Sequence, residues 1–201
     1  MTADTHPLRC RCGALQGQIT LGEPTSRMVC YCKDCQAFAR YLGPAGRVLD
    51  AQGGSDVVQL APHRIRFTQG IEHLAVMRLS PKGMLRWYAA CCRTPVGNTM
   101  TTRNMPFTGL IAQCLDSAPL DPAFGTVMAT ANTQSALGER KPRAHGLPAA
   151  LLRILRIVAG SRLSGRHKVN PFFTGAGTPV AEPTVLSAEE RARLDQVSAT
   201  V

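Results

Sequence analysis

Alternation of apolar and polar positions dominates the first part of the chain. Over residues 14–21, Leu15, Gly17, Ile19 and Leu21 fall on one face, the period-2 pattern of a half-buried strand. Residues 56–61 and 63–68 follow the Gly53-Gly54 turn as two further extended runs. Residues 74–79 and 84–89 flank Ser80-Pro81-Lys82-Gly83, where proline second and glycine fourth suit a type I turn, so a hairpin is expected. Residues 108–113 predict one more strand. Lys33–Leu42 is the one helical candidate in this part, and it begins inside a cysteine cluster.

The pattern changes after about residue 115. Residues 116–144 are rich in small and turn-forming side chains with no clean period. Residues 148–163 predict a helix in which Leu151, Leu152, Ile154, Leu155, Ile157 and Val158 are interrupted by Arg153 and Arg156. Such a helix ordinarily lays its apolar stripe on a sheet; the alternative is a membrane surface. Residues 175–183 form a Gly/Pro-rich connector. Ser187-Ala188-Glu189-Glu190 then matches a capping box and opens a short helix to about Val197. The expected architecture is mainly β: short antiparallel strands over residues 1–115, with residues 116–201 as a connector and basic helical extension packed on them.

At 201 residues the chain is long enough for a core of its own. No apolar run approaches the roughly 18 residues of a membrane span. The opening residues carry neither the basic nor the apolar stretch of a secretory leader, so a reducing, cytoplasmic setting is expected. Charge refines the picture: 23 basic against 13 acidic residues give a net +10, and only four of the basic residues are lysines. Between residues 139 and 168 there are eight basic residues and one acidic. A basic surface attracts nucleic acid, acidic lipid or a small polycarboxylate. No aromatic pattern accompanies the segment, and Trp87 is the only tryptophan, which disfavours nucleic acid stacked on residues 139–168.

Cysteine placement carries the most chemistry. Seven of eight cysteines fall as Cys10-x-Cys12, Cys30-x-Cys32-x-x-Cys35 and Cys91-Cys92. Thiolates this close in sequence can converge on one cation, whereas disulfides between such near neighbours are strained. Zn²⁺ takes four ligands when structural, or three plus an open position when catalytic; iron–sulfur clusters use longer runs of C-x₂-C. Seven clustered cysteines therefore point to one closed and one open site. Cys114, in an apolar stretch, reads as a buried, inert thiol.

Three blocks together, Cys10-Arg11-Cys12-Gly13, Cys30-Tyr31-Cys32-Lys33-Asp34-Cys35-Gln36 and Cys92-Arg93-Thr94-Pro95, resemble the glutathione-dependent formaldehyde-activating enzyme family, which shares its domain with centromere protein V. The resemblance covers about residues 6–115. It implies an Mss4-like, zinc-stapled β-tent, a structural zinc on Cys10, Cys12 and Cys92, and a second, catalytic zinc on Cys30, Cys32 and Cys35. One departure stands out: the family's last block reads Cys-x-x-Cys-Gly, and here Ala89 replaces the first cysteine and Arg93 the glycine. Cys91 either takes the vacant ligand position or is a bystander, because neighbours in a strand point to opposite faces.

The expected activity is that of a zinc-dependent carbon–sulfur lyase on a thiol–aldehyde adduct such as S-hydroxymethylglutathione, with a small thiol, glutathione included, as partner and Zn²⁺ at two sites, the second labile. The alternative is a non-catalytic, zinc-stabilised binding protein with a basic C-terminal face. Arg11, Lys33, Arg40 and Arg93 stand near the ligands in sequence and can offset thiolate charge. His6, His63, His73, His145 and His167 are scattered, and none is placed as a proton shuttle.

Overall fold

The computed structural model describes residues 4–115 and 119–196. Along the chain run β1 (Thr5–Arg9), β2 (Gln16–Thr20), β3 (Ser26–Cys30), α1 (Lys33–Leu42), β4 (Ser55–Leu60), β5 (Ile65–Gln69), β6 (Leu74–Arg78) and β7 (Leu85–Ala89). There follow β8 (Thr94–Thr99), β9 (Thr108–Ile111), α2 (Leu120–Phe124), β10 (Ala129–Ala131), α3 (Leu147–Leu163), β11 (Thr184–Val185) and α4 (Ala188–Gln196). Strand accounts for 29% and helix for 31%, so the mainly β expectation is corrected to a mixed fold. Beyond the expected helices, α2 and a series of single 3₁₀ turns supply the difference.

Two sheets organise the molecule: β1-β2-β5, and an eight-stranded sheet ordered β10-β3-β4-β9-β8-β7-β6-β11. Pairing is antiparallel except at the two ends of the larger sheet, where β10 joins β3 and β11 joins β6 in parallel. The larger sheet thus draws strands from both sides of residue 115.

Neighbouring residues of its strands enter different cores. In β4, Val58 and Leu60 pack with Leu8, Leu15 and Ile19 of the small-sheet side, whereas Val57 packs with Ala39 of α1. In β9, Leu110 and Ile111 divide in the same way. Period 2 sends successive side chains to opposite faces, so the central strands are covered on both sides, by the small sheet and by α1. Burial on both faces also hides β8 from pattern reading: all six residues of Thr-Pro-Val-Gly-Asn-Thr are buried. Its polar groups are satisfied within the layer, Trp87 Nε1 donating to Thr99 Oγ1 at 2.9 Å and Arg86 Nη1 to Asn98 Oδ1 at 3.2 Å. Phe172, from the C-terminal third, plugs the main core against Trp87 at 5.0 Å between ring centroids.

Several expected elements stand where the pattern put them. Helix α1 has the expected bounds, and β6 and β7 form the hairpin, with Gly83 N donating to Ser80 O at 3.0 Å. The capping box is formed in both directions, Ser187 N to Glu190 Oε2 at 2.8 Å and Glu190 N to Ser187 Oγ at 3.1 Å. Val197, the expected end of that helix, lies outside the described residues.

Helix α3 differs from the expected packing. It rests on β3 and β10 through Ala150, Ile157 and Ser161, and leaves Leu151 58% and Leu155 57% exposed. The face that meets the edge strand β10 and its neighbour β3 is thus not the leucine face, and the leucines are turned outward. No helix among the described residues is long and apolar enough to cross a membrane.

Candidate metal centres

The first centre joins two turns far apart in sequence. Cys10 directly follows β1 and is buried. Its amide donates to Leu15 O at 2.9 Å, and its sulfur accepts the Leu15 amide at 3.3 Å. The loop is shaped by a close approach: a Cβ on Gly70, which has φ +70°, would stand 1.9 Å from Ala14 O. The partner turn spans residues 90–93 between β7 and β8, anchored by Ala90 N to His73 O at 2.8 Å. Because this is a turn and not a strand, the pleat no longer separates Cys91 from Cys92, and both sulfurs join those of Cys10 and Cys12.

Sulfur separations are 3.5 Å (Cys10–Cys12), 3.8 Å (Cys10–Cys91), 3.3 Å (Cys12–Cys91) and 3.9 Å (Cys91–Cys92). Four sulfurs about 2.3 Å from one ion at tetrahedral angles lie about 3.8 Å apart. These separations match that edge and are far longer than the about 2.05 Å of a disulfide. The donor set fits a closed metal site of four ligands. Burial raises the Cys92 thiol, but the Thr94 hydroxyl, 3.0 Å from its sulfur, and contacts with Cys12 bring it down to about 6.

Arg93 closes the turn with φ 57°, its amide donating to Ala89 O at 2.7 Å. A left-handed residue with a side chain costs about 1–2 kcal/mol where glycine would not. Its guanidinium is tied to the end of α1: Nε donates to Leu42 O at 3.2 Å, Nη2 to Tyr41 O, and the group stacks over the Tyr41 ring at 5.0 Å. Arg11 crosses between the same turns, Nη2 donating to Cys92 O at 2.9 Å and its amide to Thr94 Oγ1 at 3.0 Å.

The second centre is local. Cys30 ends β3, Cys32 is the N-cap of α1, and Cys35 lies in the first turn, its amide donating to Cys32 Sγ at 3.3 Å. The three sulfurs lie within 4.8 Å of one another, and no fourth Cys, His, Asp or Glu among the described residues completes the group. Hydrogen bonds from Cys32 and Cys35 hold the Cys30 thiol far below its ordinary range, while Cys30 pushes both of the others up.

Asn132, which pattern reading missed, donates Nδ2 to Cys30 Sγ at 3.4 Å from a left-handed backbone (φ 56°). Parallel pairing of β10 with β3 puts it there, Ala131 standing opposite Cys30. Gln36, also missed in this role, is buried and ties the knuckle to the next turn through Tyr31 O at 2.9 Å and Ser135 O at 2.8 Å. Its only sequence signal is position, one residue past Cys35.

Of the expected cations, Arg11 reaches the first centre, whereas Arg93 stands in its turn but sends its guanidinium to the end of α1. Arg40 instead serves Gln36 Oε1 at 3.0 Å and Leu194 O at 3.1 Å. No histidine enters either group; His63 pairs with Glu23 at 3.2 Å. In the basic segment, Arg166 pairs with Glu23 at 2.6 Å and Arg153 donates to Thr25 O at 3.3 Å. Cys114 is fully buried, burial raising its thiol to about 12, with Sγ donating to Val96 O at 3.2 Å.

Fold and site define a mixed α/β protein with two cysteine groups, each able to hold a metal ion. The chain belongs to DUF6151, a family of unknown function, which it matches over residues 2–184. No curated protein is significantly similar to it. A crystal structure of a Rhodobacter sphaeroides protein is similar over 56% of this chain and 90% of its own, at 18% identity and a TM-score of 0.38, a likeness that carries no argument. The formaldehyde-activating family is not among these matches.

Proposed function

We propose that the protein is a zinc enzyme of carbon–sulfur lyase type, whose three-cysteine group handles a thiol–aldehyde adduct such as S-hydroxymethylglutathione. The observation that carries this reading is the incomplete donor set: three converging sulfurs with no fourth protein ligand among the described residues. Zinc bound there would keep one position for a thiolate or alkoxide from the adduct. The closed four-cysteine group would then be the structural zinc of an Mss4-like tent, with Cys91 as its fourth ligand.

The chain's own residues set up the field around the open group. Cys32 sits at the N-cap of α1, where free amides and the helix dipole favour thiolates. The Cys35 amide and the Asn132 amide group each donate to a sulfur, which draws charge from the thiolates and lowers their donation to the metal. Gln36 fixes the loop so that the three sulfurs keep their spacing. Thiols held apart at these distances fit a reducing compartment, and a cytoplasmic location belongs to the proposal.

Cobalt replacing the metal in the full chain provides the test. Its thiolate charge-transfer band should change when glutathione is added, and Cys35→Ser should abolish turnover of the formaldehyde–glutathione adduct while the protein stays folded. A band that shows four protein ligands and ignores thiols would leave a zinc-stabilised binding protein instead.

A further inference from the structure

A cavity of about 640 Å³ lies at the other end of α1, beside the four-cysteine centre. That volume falls in the roughly 300–1,000 Å³ range of small-molecule pockets. Its apolar walls include the buried Leu42, Val48 and Leu115. Its charged residues are all basic: Arg9 and Arg11 from β1 and the turn after it, Arg47 from the 3₁₀ turn Ala45–Arg47, and Arg93 from the metal-bearing turn, with Pro44 and Gln113 as the other exposed residues of the lining. No carboxylate stands among its described lining residues. Like charges around a concave, low-dielectric wall focus a positive potential into it.

Two of these guanidiniums are fixed in advance. Arg11 is held by Cys92 O, and Arg93 by the last carbonyls of α1 and the Tyr41 ring. Those bonds also cover the negative end of the α1 dipole, which would otherwise repel an anion in the cavity. Capping α1 accounts for Arg93 alone; it gives no reason for Arg11 and Arg47 to share the same hollow. The Arg47 side chain has no hydrogen-bond or ion-pair partner among the described residues and stands on a surface turn.

We propose that this cavity binds a small organic dianion. Arg11, Arg47 and Arg93 hold its carboxylate or phosphate oxygens, and Leu42, Val48 and Leu115 receive its compact apolar body. Arg47, whose side chain has no other partner among the described residues, completes the set. Helix α1, ten residues and so about 15 Å long, separates the cavity from Cys32. The dianion is therefore not the group handled at the three-cysteine centre, and the site stands or falls separately from the lyase reading.

The experiment is calorimetric titration of the zinc-loaded full chain at low ionic strength with succinate and, separately, with inorganic phosphate. Saturable one-to-one binding is expected for at least one of them. Arg47→Gln should weaken it about tenfold, the loss of one charge-assisted hydrogen bond. Arg66→Gln, which removes the same charge from β5, should leave it unchanged. Tighter succinate binding assigns a carboxylate ligand, tighter phosphate binding a phosphate ester. Equal weakening by both substitutions, or no saturation by either anion, would overturn the site.

Discussion

The two cysteine centres use the same donor atom in opposite structural settings. In the four-cysteine centre, ligands 81 positions apart meet, so a metal there would close the chain across the small sheet and the β7–β8 turn. In the three-cysteine centre all donors come from one knuckle at the head of α1, and a metal there would cross-link nothing distant. A metal that joins remote segments contributes folding free energy; one held by a single loop can exchange ligands without undoing the fold. Ligand separation along the chain therefore distinguishes the two centres independently of ligand count.

The largest expected effect tests that distinction directly. Cys10→Ser should lose about 3–5 kcal/mol, or roughly 10 °C in Tm for a chain of this size, because a closed site loses a buried ligand. Cys32→Ser should lower Tm by far less while metal content falls by one ion per chain. Thermal unfolding with parallel metal analysis reads both, and equal losses would end the comparison.

A smaller effect sharpens the four-cysteine side. Arg93→Gly relieves the left-handed backbone but gives up the ties to α1, whereas Arg93→Ala keeps the strain and loses the ties. The alanine variant should be less stable than the glycine variant by about 1 kcal/mol in denaturant unfolding. Equal stabilities would mean that the turn is not held left-handed.

The smallest effect belongs to the three-cysteine side. Asn132→Gly keeps the left-handed backbone and removes the amide's bond to Cys30. Stability should change by less than about 1 kcal/mol, while the cobalt charge-transfer band of that centre shifts. An unmoved band would show that Asn132 does not touch the electronics of the donor set.

Much of this was legible in the chain. Cysteine spacing marked the three thiol blocks, and local signals placed α1, the β6–β7 hairpin and the capping box, since each depends on residues a few positions apart. What depends on distant packing was not legible. Strand β8 carries proline, glycine and polar residues that only a two-sided core makes sense of. Cys91 became available because residues 90–93 turn, a geometry that Arg93 conceals where glycine would announce it. The outward leucines of α3 follow from which face of the helix meets β3 and β10, which no helical period records. The arginine cavity joins three remote segments, none of which is unusual alone.

The larger sheet ends in its two shortest strands, three-residue β10 and two-residue β11. An uncovered strand offers a row of free amides and carbonyls on which another chain can grow. Thr184 and Val185 shield β6 from that role, and they are reached through the Gly/Pro-rich stretch after Phe173. A single protease cut in that stretch would sever β11 from the preceding chain, leaving it held by Leu186, which is buried beside α1 and Met77 of β6. The chain's safeguard against sticking to copies of itself at this edge thus hangs on one buried leucine, Leu186, whose amide also donates to Arg78 O at 3.0 Å.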